Sequence, residues 1–194
     1  MTAWMPQAPA PERVPAGASA EGDGVVVGAG PVTIDAYIDF QCPYCKQFEE
    51  VAGPTLDRLL ADGAININYH PMAFLDRLST NHYSSRASSA SGCAADAGRF
   101  KEYAAALFAH QPPEGGPGLT DEQLVEVGRS AGLADPGFAR CVAGHAYLGW
   151  AAYVTFVASR RGVSATPTVL VEGMAVPANP RAIIAAVAAV VEAV

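Results

Sequence analysis

The chain has 194 residues and a formal net charge of -7 at pH 7. This length is sufficient for one well-packed core with a substantial insertion, but it is too short for two domains of ordinary size. The 12 Lys and Arg residues are outnumbered by 19 Asp and Glu residues, and the basic residues form no block. The composition therefore lacks the basic surface of nucleic-acid-binding proteins, and we expect no nucleic acid as a partner.

The first 24 residues are rich in Pro, Ala, Gly and acidic residues and poor in large aliphatic ones. This composition predicts a disordered linker over residues 1–24. The linker does not combine positive charge, an apolar stretch and a small-residue cleavage site, as a secretory signal does. The composition is that of a tether left after an anchor is removed, so we expect anchoring or export through an N-terminal segment absent from this sequence. The longest apolar run, residues 182–191, is well short of the about 20 residues that a membrane span requires.

A β-α-β pattern follows the linker. Residues 24–27 are β-prone, and Val32–Ile38 alternates between apolar and polar residues, which predicts a strand with one buried face. After Cys45 the spacing of apolar residues becomes helical, so the first helix opens near this cysteine. Residues 64–69 alternate again and supply the second strand of the unit.

Residues 80–162 show no strand pattern. Apolar residues recur there at helical spacing for four or five helices. Thr120 and Gln123 fit a capping box, and Asp135-Pro136 is typical of a second helix start. This stretch therefore predicts an all-helical insertion.

Strand character returns after the insertion, at residues 168–172 and 175–176, with a turn at Gly173 between them. Asn179-Pro180 then supplies the capping residue and first position of a last helix. The element order is β-α-β, helical insertion, β-β-α, which predicts an α/β fold. One domain would consist of residues 25–79 and 163–194, with residues 80–162 inserted.

Cys42 and Cys45 are separated by Pro43 and Tyr44 at the predicted start of the first helix. The first sulfur then lies near backbone amides that have no helical partner, and the second lies one turn inside, within disulfide reach. These amides and the helix dipole favour a thiolate at Cys42. Because the thiolate exists only in the reduced form, its stabilisation lowers the free energy of the reduced form alone. The pair therefore becomes a stronger oxidant. The pattern is typical of a redox-active centre.

Two other uses of a close cysteine pair remain open at this point. A zinc half-site would need a second close ligand pair, whereas Cys93 and Cys141 stand alone and no His lies within a few residues of Cys42 or Cys45. A purely structural disulfide across so short a loop would remove little chain entropy. We favour the redox interpretation, and we expect no metal and no cofactor.

A second motif, Ala165-Thr166-Pro167-Thr168, stands just before a predicted strand. Pro is tolerated at the first position of a strand, and X-Pro bonds are cis in only about 5% of cases. The motif alone therefore favours an ordinary trans strand start.

Together the two motifs closely resemble those of bacterial DsbA-like proteins of the thioredoxin fold. The resemblance is carried by residues 39–46, Asp-Phe-Gln-Cys-Pro-Tyr-Cys-Lys, and by the Thr-Pro-Thr segment after a helical insertion. It covers nearly everything after residue 25. It implies that Cys42 is an exposed nucleophile, that Cys45 is the buried resolving thiol, and that Pro43 and Tyr44 complete the motif. It also implies that Thr166 and a cis Pro167 pack beside the disulfide and hold substrate backbone.

The resemblance extends to Cys93 and Cys141, which lie on different predicted helices of the insertion. Some relatives carry a second disulfide in that region, so we expect these two cysteines to form a structural disulfide. The alternative is two separate buried thiols, since free Cys is commonly buried. A disulfide that closes so long a loop would stabilise the fold by about 4 kcal/mol.

One position departs from the family pattern. The family often has a buried acid six residues before the first active-site cysteine, where it relays protons to the resolving thiol, and this position is Ala36 here. Asp39 or ordered water are candidates to replace the relay. A polar residue just before a helix is, however, at least as often an ordinary turn or cap residue.

The resemblance implies a thiol:disulfide oxidoreductase that introduces disulfides into exported proteins with reduced cysteines. It also implies reoxidation by a quinone-linked membrane protein, in the periplasm or cell envelope, and we expect a monomer. The main alternative is a reductase or isomerase of the same fold, although we expect no N-terminal dimerisation domain of the isomerase type, because the stretch before residue 25 is too short and too polar. A non-catalytic binding module with this fold is the second alternative. The direction of electron flow does not follow from the sequence.

Overall fold

The structure, a computed structural model, describes residues 10–193. Its centre is one mixed five-stranded sheet with the strand order β1-β3-β2-β4-β5. β2 and β3 are parallel, and the other neighbouring strands are antiparallel. The strands are β1 (Val25–Gly28), β2 (Val32–Ile38), β3 (Ile65–Pro71), β4 (Thr168–Val171) and β5 (Met174–Val176).

Seven α-helices are present in the described part of the chain. α1 connects β2 to β3, α2 to α6 lie between β3 and β4, and α7 follows β5. The predicted α/β fold with an all-helical insertion is therefore confirmed. The helices are α1 (Pro43–Ala61), α2 (Tyr83–Asp96), α3 (Phe100–Ala109), α4 (Asp121–Ser130), α5 (Pro136–Ala143), α6 (Leu148–Arg160) and α7 (Pro180–Glu192).

The central strand β2 leads directly to the cysteine pair. Val32, Ile34 and Ala36 are fully buried, as the alternation predicts. Tyr37 and Ile38 are both buried as well, because a strand in the middle of a sheet is covered on both faces where helices pack on it. The predicted face of β2 is therefore correct, and the strand becomes wholly buried as it approaches the site.

The insertion is built around α2, which contacts α3, α4, α5 and α6. Small side chains along α2, among them Ser84 and Ser88, are buried and permit this close approach. A disulfide between Cys93 and Cys141 joins α2 to α5, with 5.9 Å between the two Cα atoms. At the start of α4, the Thr120 side chain accepts from the Gln123 amide and Gln123 bonds back to Thr120, which confirms the predicted capping box.

The residues before β1 differ from the predicted linker. Residues 1–9 lie outside the described residues, but the stretch from Arg13 to Gly24 is held against the insertion. The Ala16 amide donates to Asp96 at 2.9 Å, and the Trp150 indole donates to the Gly22 carbonyl at 2.8 Å. Asp23 is 1% exposed and pairs with Arg161. The linker prediction is therefore corrected here: partners distant in sequence order a segment whose composition is typical of disorder.

Within residues 10–193 no single helix is long and apolar enough to cross a membrane. α5 and α6 together have the length and the apolar composition of a membrane span, but the two helices are bent by 65° relative to each other.

Candidate redox site

Cys42 is the last residue before α1, and Pro43 occupies the first turn of that helix. The Cys42 carbonyl accepts hydrogen bonds from the amides of Cys45 and Lys46 at 3.1 and 3.2 Å. Cys45 is therefore one turn inside the helix, as the spacing predicts. Both cysteines are free thiols, so the structure represents the reduced state of the pair.

The Thr166-Pro167 segment lies against the first cysteine, although it is 124 residues away in sequence. The Cys42 thiol donates a hydrogen bond to the Thr166 carbonyl at 3.3 Å. The peptide bond between Thr166 and Pro167 is cis. The fold thus brings together the two motifs on which the resemblance rests.

The two thiols have opposite acidities. The pKa of Cys42 is lowered to about 6 by a hydrogen bond from the Cys45 thiol and by further hydrogen bonds from the Thr166 side chain and from the backbone amides of Cys45 and Tyr44. Burial raises the pKa of Cys45 well above its ordinary value, and the neighbouring Cys42 raises it further. At neutral pH a thiolate at Cys42 therefore faces a protonated Cys45, which is the arrangement of a nucleophile and a resolving thiol.

Cys42 is less accessible than predicted. The resemblance implied an exposed residue, whereas Cys42 is only 4% exposed and its thiol bonds the Thr166 carbonyl. Access to the sulfur is through a groove of about 750 Å³, whose lining includes Phe74, Leu75 and Val163. Tyr44 borders this groove and is 70% exposed.

A second groove, of about 420 Å³, lies on the other side of Tyr44. It is lined by Phe48 and Val51 of α1 and by Thr166 and Pro167. Tyr44 and Thr166 therefore contribute to both grooves.

Asp39 is buried beneath the cysteine pair. Its backbone amide donates to the Cys45 sulfur at 3.5 Å. Its carboxylate accepts from the Gln41 amide at 2.9 Å, from the Ser84 hydroxyl at 2.7 Å and from the Leu75 amide at 2.9 Å. Burial raises the pKa of this carboxyl group. These contacts show a turn-stabilising role for the side chain, while Ala36 offers no polar group.

Gln111 is a site residue to which the sequence assigned no role. It lies in the loop after α3, and its side-chain amide donates to the carbonyls of Phe40 and Cys42 at 2.9 and 3.0 Å. No local pattern could reveal this contact, because it depends on how the insertion folds back over the sheet. Within the described residues, no cluster of three or more His, Cys, Asp and Glu side chains could hold a metal ion.

Comparison with known proteins places this geometry in a family. Residues 21–188 match the family model described as thioredoxin. Among solved structures, reduced DsbA from Mycobacterium tuberculosis is 33% identical, with a TM-score of 0.77 over 87% of this chain and 92% of that one. The disulfide bond oxidoreductase DsbG from the same organism is 34% identical, with a TM-score of 0.78 over 88% of each chain.

A curated relative is a longer protein. The serine/threonine-protein kinase PknE from Mycobacterium tuberculosis is 36% identical over 138 residues, which cover 66% of this chain but only 24% of PknE. The chain thus spans about a quarter of that relative. The family match instead covers residues 21–188 and includes both cysteines of the pair, and the two solved structures cover 87% and 88% of the chain. The chain belongs to the thioredoxin family and, within it, to the DsbA-like thiol-disulfide oxidoreductases.

Proposed function

We propose that the chain works as a dithiol oxidase, which introduces disulfides into exported proteins that carry reduced cysteines. The observation that carries this proposal is the acidity of Cys42, with a pKa lowered to about 6. A stabilised thiolate favours the reduced enzyme, so it makes the Cys42-Cys45 couple more oxidising than a couple with an ordinary thiol.

The proposed cycle begins with a disulfide between Cys42 and Cys45. A substrate thiolate attacks the Cys42 sulfur, the bond between the two enzyme sulfurs breaks, and Cys45 leaves and takes up a proton. A second thiolate of the same substrate then attacks the substrate sulfur of the mixed disulfide, and Cys42 leaves as a thiolate. The substrate loses two electrons and gains one disulfide, while the enzyme ends in the dithiol state.

The contacts around the pair support these roles. Cys42 is the better leaving group because its pKa is the lower of the two, and it opens to a groove, whereas Cys45 is fully buried. We assign Thr166 and Pro167 to substrate binding, since both border the groove between Tyr44 and Val51. Pro43 and Tyr44 form the exposed cap of the pair.

A quinone-linked membrane oxidase is the proposed electron acceptor that returns the dithiol to the disulfide. The proposed location is extracytoplasmic, in the periplasm or cell envelope. The disulfide between Cys93 and Cys141 favours an oxidising compartment, since such bonds are rare where thiols are kept reduced.

The decisive experiment is the reduction potential of the Cys42-Cys45 pair, measured by equilibration with glutathione buffers. A value between about -120 and -180 mV supports the oxidase, and a value near -270 mV makes the protein a reductase. Cys45→Ala should accumulate a mixed disulfide with a disulfide-bonded protein such as insulin, because its Cys42 thiolate attacks the substrate disulfide and no second enzyme thiol releases the product. The matched variant Cys42→Ala should not accumulate it. If the wild-type chain neither oxidises reduced ribonuclease nor reduces insulin, a non-catalytic binding module replaces the proposal.

A further inference from the structure

The outer face of α7 is apolar although it is open to solvent. Ile183 and Val187 are buried against the rest of the fold. Beside this buried stripe, Ile184 and Val191 are 45% and 56% exposed, and on the opposite side Ala185 and Ala188 are exposed as well. Residues 182–191 include no polar side chain at all. A helix that is apolar on every side is normally buried, so the open face lacks a partner.

The surface helix α4 does not share the feature. Its outer face carries Glu122, Gln123, Glu126 and Arg129. The apolar face of α7 is therefore a local property and does not follow from the composition of the whole chain.

Charges of opposite sign stand at the two ends of this face. Arg181 and Glu192 are both exposed and are eleven residues apart, which is about three turns of helix. Intervals of four, three and four residues separate Arg181, Ala185, Ala188 and Glu192. These residues therefore share one side of α7, and this is the spacing of the seam between two packed helices.

Both charges oppose the dipole of their own helix. A helix N-terminus favours acidic side chains and a C-terminus favours basic ones. α7 has no acidic residue in its first turn and no basic residue in its last turn, while Arg181 and Glu192 occupy the reverse positions. Against an antiparallel copy of α7, Arg181 would lie beside the C-terminus of the partner helix and Glu192 beside its N-terminus, and each of these ends favours the charge it meets.

We propose that two copies of the chain associate through α7, packed antiparallel about a two-fold axis. Arg181 of each copy then faces Glu192 of the other, and the small side chains of Ala185 and Ala188 let the two helices approach closely. Such an interface is self-complementary, as two-fold symmetry requires. Since α7 is only about 20 Å long, the contact is at the low end of specific interfaces and the dimer is reversible. This association replaces the expected monomer and is independent of the redox proposal.

Sedimentation equilibrium of the full chain tests the dimer. The wild type should show a concentration-dependent monomer-dimer equilibrium in the micromolar to millimolar range. Arg181→Glu and Glu192→Arg should each weaken association by about tenfold or more, because each opposes like charges twice per dimer. The double variant Arg181→Glu/Glu192→Arg should restore it. Glu50→Arg, a charge reversal at an exposed position of α1, serves as the control and should leave it unchanged.

The single reversals separate association from folding. Arg181→Glu puts an acid at the start of α7, where it favours the helix, so a weaker dimer cannot result from a melted α7. A wild type that is monomeric at every concentration would overturn the proposal. The proposal would equally be overturned if the single reversals left the dissociation constant of the dimer unchanged, or if the double variant did not restore association. Binding of the monomer to phosphatidylglycerol vesicles through Ile184 and Val191, without self-association, would assign the face to a membrane instead.

Discussion

The side chain of Gln111 and the carbonyl of Cys42 are joined by a hydrogen bond of 3.0 Å across 69 residues of sequence. The same amide nitrogen also bonds the Phe40 carbonyl at 2.9 Å. The helical insertion thus holds the backbone on both sides of Gln41, immediately before α1. Because the Cys42 carbonyl also accepts the first hydrogen bonds of α1, Gln111 fixes the start of the redox helix.

Replacement of Gln111 by Ala should destabilise the reduced protein by about 1 to 2 kcal/mol, because the Phe40 carbonyl loses the Gln111 donor and the Cys42 carbonyl loses one of its three donors. The measurement is urea unfolding of the dithiol form. Gln47→Ala removes a side chain of the same size from the exposed face of α1 and serves as the control. Equal stabilities of the two variants would show that the Gln111 contact contributes nothing.

The pKa of Cys42, lowered to about 6, predicts how the stability of the reduced form depends on pH. Between pH 6 and about 9 the unfolded chain binds more protons at this thiol than the folded chain does. The thiolate's contribution to the free energy of unfolding is therefore complete above about pH 9 and is lost as the pH falls to about 6. Relative to the oxidised form, the reduced form should gain about 1 to 2 kcal/mol between pH 5 and pH 8, after a reduction for solvent screening.

Urea unfolding of both redox forms at several pH values measures this difference. The absorbance of the thiolate at 240 nm should titrate in the same range and should disappear in Cys42→Ser. A reduced form whose advantage does not change between pH 5 and pH 8 would contradict the assignment of the thiolate to Cys42.

Asp39→Asn tests the buried carboxylate. Both carboxylate oxygens accept from donors, and an Asn amide would turn an N–H group towards one of them, which should cost about 1 to 3 kcal/mol. Burial raises the pKa of Asp39 in the folded state, so its contribution is complete below the unfolded pKa and falls as the pH rises through the folded value. The stability gap between wild type and variant should therefore narrow from pH 4 to pH 7.

The exposed Asp62, at the end of α1, supplies the matched control. For Asp62→Asn the gap to wild type should stay small at every pH. If the gap for Asp39→Asn instead widened with rising pH, the carboxylate would be stabilised as an anion, and the assignment of burial as the dominant effect would be wrong.

Local patterns in the sequence predict most of the framework. The alternation in Val32–Ile38 gives the buried face of β2, and the capping residues Thr120, Asp135 and Asn179 mark helix starts that the structure shows. These features depend on residues within one turn or one strand. For the same reason, the pair Cys42 and Cys45 could be read directly as a helix-opening redox motif.

Contacts between distant residues could not be predicted in this way. The proximity of Thr166 to Cys42 followed only from the resemblance to a family, and the Gln111 contact was missed altogether. The accessibility of Cys42 was overestimated, because its contact with the Thr166 carbonyl, 124 residues away, gives no local signal. The predicted disorder around Asp23 was wrong for the same reason. The Pro and Gly residues near it are typical of a linker, but Asp23 is held by Arg161, which is 138 residues away.

The segment before β1 should contribute to the stability of the whole domain. Asp23 accepts from the Ser19 hydroxyl at 2.8 Å and pairs with Arg161, while its backbone carbonyl lies 2.7 Å from Nδ1 of the buried His70. Asp23→Ala removes a buried partner of a cation and should cost about 2 to 3 kcal/mol in urea unfolding.

Glu21→Ala changes an exposed carboxylate two residues away and should be nearly neutral. Limited proteolysis gives a second, independent readout, because loss of the ion pair with Arg161 should expose residues 14–24 to cleavage. If Asp23→Ala unfolds at the same urea concentration as Glu21→Ala and is cleaved no faster, the segment does not stabilise the fold. It would then act as a linker after all, despite its contacts with Arg161 and Trp150.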